Sequence, residues 1–163
     1  MKTKKILYLD MDGVLADFDK SINQHIERLE LNVDDFEGRD KLVDYICENH
    51  PFFFQDLEPI EGAIDSVKNL FELYDVYFLS SPMWWVPESF TGKRIWIEKH
   101  FGELAVKKLI LSHRKDLNIG HYLVDDRLKN GVLDFKGIHI HFGTEMFPDW
   151  KTTYHYLINV ANL

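Results

Sequence analysis

Short apolar runs alternate along this chain with stretches in which apolar residues recur every three or four positions. Runs at residues 6–9, 76–79, 109–111, 121–124 and 137–142 have the length and near-continuous apolar character of buried strands. Between them, Phe18, Ile22, Ile26 and Leu29 predict a helix over 18–31, and Ile64, Val67, Leu70 and Phe71 predict one over 62–74. Further helices are predicted over 89–101, with Ile95 and Ile97 on its apolar face, and over 148–159, where Trp150, Tyr154, Leu157 and Ile158 face the body. Strands alternating with helices predict an α/β fold, a Rossmann-like parallel sheet covered on both faces. One segment departs from the alternation. Residues 17–59 carry no strand pattern, a polar break at 32–39 and a short helix over 40–48, so they read as a small helical cap inserted after the first strand. The core is then 1–16 plus 60–163.

The polar residues that follow the strands change the picture. Asp10 and Asp12, with Gly13 behind them, leave the first strand. Ser80 and Ser81 leave the second, Lys115 follows the third, and Asp125 and Asp126 leave the fourth. Open α/β sheets bind ligands at the carboxyl ends of their strands, so these groups converge on one edge. A D-x-D pair alone is common in turns, but strand, glycine, serine, lysine and Asp-Asp in this order describe a site. Three carboxylates in one crevice repel by about 4 kcal/mol per close pair at an effective dielectric of 20, so a cation is required. Oxygen ligands of this kind suit Mg²⁺, which takes one or two carboxylates and substrate phosphate oxygens. Lys93 and Lys115 supply point charges for such a phosphate. Phosphate-monoester hydrolysis is very slow uncatalysed, and an attacking aspartate divides it into two easier steps, with a second carboxylate moving the proton.

Composition then narrows the class. A 163-residue chain that is 45% hydrophobic builds one sizeable core with at most a small appendage. A net charge of -8 disfavours polymeric nucleic acid and anionic membranes as partners. Cys47 is the single cysteine, which excludes an intramolecular disulfide and a zinc cluster. The basic start, Met1 to Lys5, is not followed by a signal-type apolar region, and no run is long enough to span a bilayer, so a cytoplasmic location is expected.

These residues also carry a resemblance. Asp10, Met11, Asp12, Gly13 and Val14, then Ser80, Lys115 and Asp125-Asp126, resemble the four motifs of the haloacid-dehalogenase (HAD) superfamily in order and spacing. Residues 10–18 with Phe52-Phe53-Phe54, Leu57-Glu58-Pro59, Gly62-Ala63, Ser81-Pro82, Lys93, Trp96, Phe101-Gly102 and Asp125-Asp126-Arg127 are similar, more narrowly, to the 5'(3')-deoxyribonucleotidases. The likeness covers nearly the whole chain and is weakest over 32–49. It implies a Rossmann-like HAD core and a Mg²⁺-dependent phosphatase acting on deoxyribonucleoside monophosphates. It implies Asp10 as nucleophile and metal ligand, and Asp12 as general acid/base that also gives the metal its backbone carbonyl. Asp126 would be the second carboxylate ligand, with Asp125 behind it. Ser80, where the family usually has threonine, Ser81, Lys93 and Lys115 would bind the phosphate, and Phe18 would line the nucleoside pocket. A sugar phosphate is the alternative substrate, and a non-catalytic phosphate-binding module the alternative class. The state of association, a homodimer included, stays open.

Blander readings stand for other residues. At least two of Phe52, Phe53 and Phe54 are expected in the core, and Trp84 and Trp85 divide evenly between core and a base-stacking platform. His139 and His141 alternate on one strand with no third ligand nearby and read as structural, His113 reads as a loop polar group, and Cys47 reads as packing.

Overall fold

A computed structural model describes residues 3–161, so residues 1–2 and 162–163 of the expected core span lie outside the described residues. Five parallel strands form one sheet in the order β3-β2-β1-β4-β5. They are β1 (Lys5–Leu9), β2 (Tyr74–Ser80), β3 (Leu109–Leu111), β4 (Tyr122–Asp125) and β5 (Ile138–His141). The order runs outward from β1 in both directions, which puts the topological switch point at the end of β1, where Asp10 begins. The α/β, Rossmann-like expectation therefore holds.

The helices are α1 (Phe18–Arg28), α2 (Arg39–Asn49), α3 (Ala63–Leu73), α4 (Pro87–Phe101) and α5 (Trp150–Ala161). Asp17 caps α1, its side chain accepting the Lys20 N–H at 3.2 Å, worth about 1 kcal/mol. The predicted end of that helix was too late. It stops at Arg28, Leu29 caps it half-exposed, and Glu30 turns left-handed (φ 51°). β2 starts two residues earlier than its apolar run: Tyr74 pairs in register with Lys5 of β1, and its hydroxyl finds a buried partner, the Leu157 carbonyl, at 2.6 Å.

One cluster joins the sheet to every helix. Leu7, Leu9, Val76, Phe78 and Val124 come from the strands, Val67 and Leu70 from α3, Trp96 and Ile97 from α4, and Trp150 and Leu157 from α5. Each fully buried apolar side chain of this size contributes about 1.5–3 kcal/mol. Ile22, Leu42, Ile46, Phe53 and Phe54 extend the same cluster into the segment between β1 and α3. Two of the three phenylalanines are thus core, as expected, while Phe52 is 63% exposed. Trp84 and Trp85, at 66% and 81%, are not core. Ile95, expected on the apolar face of α4, is 40% exposed.

The chain leaves the sheet at Ala16 and returns at Glu58 side by side. The Asp17 N–H donates to the Glu58 carbonyl at 2.8 Å, and the Ile60 N–H to the Leu15 carbonyl at 2.8 Å. Two indoles pin this crossing. Trp96 donates to the Leu57 carbonyl (2.7 Å) and Trp150 to the Val14 carbonyl (2.6 Å).

Candidate active site at the carboxyl edge of the sheet

The loop after β1 is a tight turn built on one carbonyl. Met11 C=O accepts the N–H groups of Val14 (3.2 Å), Leu15 (2.8 Å) and Ala16 (2.9 Å), and its side chain is fully buried. Gly13 adopts φ 76°, and a Cβ there would stand 2.3 Å from Asp126 Oδ2. Glycine is therefore needed both for the turn and for the approach of the loop after β4.

That approach assembles the acidic cluster. Oxygens of Asp10, Asp125 and Asp126 lie within 4.8 Å of one another. Burial, reinforced by the charge of Asp10, pushes the Asp126 carboxyl up to about 7. The same two causes push Asp125 upward, against the pull of Lys115. Lys115 compensates the cluster: its Nζ lies 3.1 Å from Asp10 Oδ1 and donates a short hydrogen bond to Asp125 Oδ2. Burial alone would lower that ammonium's pKa, but Asp10 and Asp125 outweigh it and hold it above the usual lysine value. Asp125 also accepts the Arg127 N–H at 2.9 Å. It is thus a clamp on Lys115 and on its own loop.

Lys93 is fully buried, and its ammonium donates to Asp12 Oδ2 at 2.6 Å, 5.2 Å from the centre of the Phe54 ring. Expected as a phosphate contact, it is paired here with the second aspartate. Ser80 is buried at the end of β2, and its hydroxyl has no hydrogen-bond partner among the described residues. Ser81 gives its hydroxyl hydrogen to the Ser112 carbonyl (2.7 Å), which ties the β2 and β3 loops together. His113, the expected loop polar group, bonds the Pro82 carbonyl through Nε2 at 2.8 Å. Phe18 is nearly buried, edge-on to Phe53 at 5.3 Å. His139 and His141 fulfil the structural reading. Each bonds through Nε2 to a backbone carbonyl, of Asp125 and Asp126 respectively, at 3.1 Å. A carbonyl only accepts, so each Nε2 carries the proton.

A cavity of about 40 Å³ opens on this cluster, lined by Asp10, Asp12, Ser81, Lys115, Arg127 and Lys129. Size does not locate the chemistry, since the cleft beside α5 reaches about 570 Å³ without comparable buried charge. Sequence reading missed Arg127, Lys129 and Asn130 as lining residues; for the first two the signal was there in the cations close behind Asp125-Asp126.

The donor set fits a divalent metal. Asp126 Oδ1 and Asp12 Oδ1 are buried without hydrogen-bond partners among the described residues, and three carboxylates converge on one point. Oxygen-only ligands favour a hard cation such as Mg²⁺.

Comparison with known proteins agrees with this geometry. The family described as 5' nucleotidase, deoxy (pyrimidine), cytosolic type C protein matches residues 4–154. A protein of Vibrio phage KVP40 that bears the 5'(3')-deoxyribonucleotidase name is 45% identical over 154 residues, covering 94% of this chain and 85% of the relative. The human cytosolic-type 5'(3')-deoxyribonucleotidase is 32% identical over 138 residues, 73% of this chain and 69% of its own. In fold, the magnesium-bound HAD-hydrolase YfnB of Bacillus subtilis is similar with a TM-score of 0.61 at 14% identity, covering 96% of this chain and 99% of that one.

Proposed function

The chain belongs to the 5' nucleotidase, deoxy (pyrimidine), cytosolic type C family, and on that premise we propose that it hydrolyses deoxyribonucleoside monophosphates with Mg²⁺ through an aspartyl-phosphate. That it is a HAD-type phosphoric monoester hydrolase of the deoxyribonucleotidase kind follows from the family itself. The observation that carries the finer reading is the buried set of Asp10, Lys115 and Asp125, with the half-buried Asp126, beside the unpartnered Ser80 hydroxyl.

Asp10 and Asp126, with the backbone carbonyl of Asp12, would hold the Mg²⁺, which supplies charge neutralisation for a bound phosphate. Asp10 attacks phosphorus, and as the new O–P bond forms, the bond to the nucleoside oxygen breaks. Asp12 protonates that leaving oxygen, then takes a proton from the water that cleaves the aspartyl-phosphate, so inorganic phosphate leaves and both carboxylates are restored. Lys115 neutralises the phosphate, Ser80 donates to it, and Ser81 lines its path. Lys93 sits on Asp12 at 2.6 Å, and a phosphate that draws the ammonium away frees Asp12 to carry the proton.

Residues 17–59 act as a cap on the core, with Phe18 at the nucleoside side. In support, this segment is joined to the core through the paired crossing at Ala16 and Pro59, and its aromatic cluster reaches Lys93 through Phe54. No helix among the described residues is long and apolar enough to cross a membrane.

A panel of phosphomonoesters tests the reading. Purified protein with Mg²⁺ should release phosphate from dUMP and dTMP, and chelation should abolish the release. Turnover of sugar phosphates with inert deoxyribonucleotides would overturn the substrate assignment and leave the hydrolase chemistry standing.

A further inference from the structure

Residues 129–132 form a tight turn, closed by the Val132 N–H on the Lys129 carbonyl at 3.1 Å. Both central residues are left-handed, Asn130 at φ 55° and Gly131 at φ 83°, ψ 4°. This is the type I' pattern, for which Asn-Gly is the preferred sequence because it tolerates positive φ at both positions. Such turns ordinarily join two antiparallel strands. Here β4 and β5, on either side of it, are parallel, so the turn closes no hairpin.

Its contacts lie elsewhere. The Asn130 carbonyl accepts the Lys115 N–H at 2.8 Å. Gly131 faces Asp116, and a Cβ on it would stand 2.0 Å from Asp116 Oδ1 and 3.0 Å from the Asp116 nitrogen. Asp116 cannot retreat easily, because Arg114 holds it with two donors, Nε at 2.8 Å on Oδ1 and Nη2 on Oδ2. Lys115 needs such support. It starts a three-residue 3-10 turn behind β3, a three-residue edge strand, so local structure alone holds it weakly. On the other side its loop is tied through the Ser112 N–H to the Ser80 carbonyl at 2.9 Å, Ser81 to the Ser112 carbonyl and His113 to the Pro82 carbonyl.

The geometry points to Asn130 and Gly131 as positioning residues for Lys115: their turn anchors the lysine's backbone so that its ammonium stands between Asp10 and Asp125. The inference rests on the proposed phosphate contact of Lys115. The backbone of Asn130, rather than its amide side chain, carries the effect. A shift of about 1 Å at a charged group facing the reacting phosphate costs on the order of 100-fold in rate.

Three variants test it: Asn130→Gly, Asn130→Val and Gly131→Ala. Glycine adopts the same dihedrals, so Asn130→Gly should keep the exchange of the Lys115 amide at the wild-type rate, while valine resists positive φ and alanine at 131 meets Asp116. Asn130→Val and Gly131→Ala should lose about tenfold or more in kcat/KM. In both, inhibition by inorganic phosphate should weaken in step, and the Lys115 amide should exchange faster with solvent deuterium. In a Lys115→Ala background, Asn130→Val should weaken phosphate binding no further. Unchanged phosphate inhibition and unchanged Lys115 exchange in Asn130→Val and Gly131→Ala would overturn the inference, as would equally fast Lys115 exchange in Asn130→Gly and Asn130→Val. A wild-type protein inert on every deoxyribonucleotide sinks the functional reading instead, and amide exchange at Lys115 still decides this one.

Discussion

The carboxyl edge of the sheet and the segment between Asp17 and Pro59 solve opposite problems. At the edge, Asp10, Lys115 and Asp125 are almost wholly buried around about 40 Å³ of space, and strand ends or tight turns fix each of them. In the other segment, α1 and α2 pack through Phe18, Ile22, Leu42, Ile46 and Phe53 and leave a cleft of about 310 Å³ lined by Gln24, His25, Arg28 and His50. Charge chemistry demands fixed distances in a dry site, so few residue types satisfy each position. Shape selection demands only volume and apolar cover, which many sequences supply. On the proposed function, the edge is where the reaction would be built and the insertion where substrate choice could vary.

The largest break in this comparison is Asp10→Asn. It should lower phosphate release by about 10⁴-fold or more while leaving the melting temperature within a few degrees, since the amide keeps the side chain's shape. Next comes Phe53→Ala in the insertion. Removing a fully packed ring should cost about 3–5 kcal/mol in urea unfolding. Gly13→Ala should follow, with a loss on the order of 100-fold in kcat/KM as the methyl displaces Asp126; full activity there would mean that the loop adjusts freely.

Proton linkage sharpens the same contrast. The Asp126 carboxyl is raised to about 7, above its ordinary value near 3.8, so between those pH values this group holds its proton in the metal-free folded protein and has lost it in the unfolded chain. Its own contribution to stability should therefore fall as pH rises from about 4 to 7. Mg²⁺ binding displaces that proton, so the rise in melting temperature on adding Mg²⁺ should be larger at pH 7.5 than at pH 5. An equal rise at both pH values would contradict the assignment of Asp126 to the metal. Smallest of all, Phe52→Ala should change stability by less than about 0.5 kcal/mol, because the ring is mostly exposed.

Legibility in the sequence followed the same division. Asp10, Asp12, Ser80, Lys115 and Asp126 read as one group because each lies at or shortly after the end of an apolar strand, and period and topology then determine the edge they share. The pairing of Lys93 with Asp12 was not legible. It depends on how far α4 slides along the sheet, which no local pattern encodes. The asymmetry among three successive phenylalanines was only half legible, since composition favours burial and the backbone path decides which ring is left out. The Asn130-Gly131 turn was missed in the sequence, although Asn-Gly is a turn signal, and its partner, the Lys115 amide, appears only once β3 and β4 are brought to the same edge.

The central claim is that Asp10 is the nucleophile. Rapid acid quenching of the protein during turnover of a deoxyribonucleoside monophosphate labelled at phosphorus, followed by peptide mapping, tests it most directly. The label should appear transiently on the peptide carrying Asp10. Steady turnover with no phosphate on that peptide at any time would contradict it.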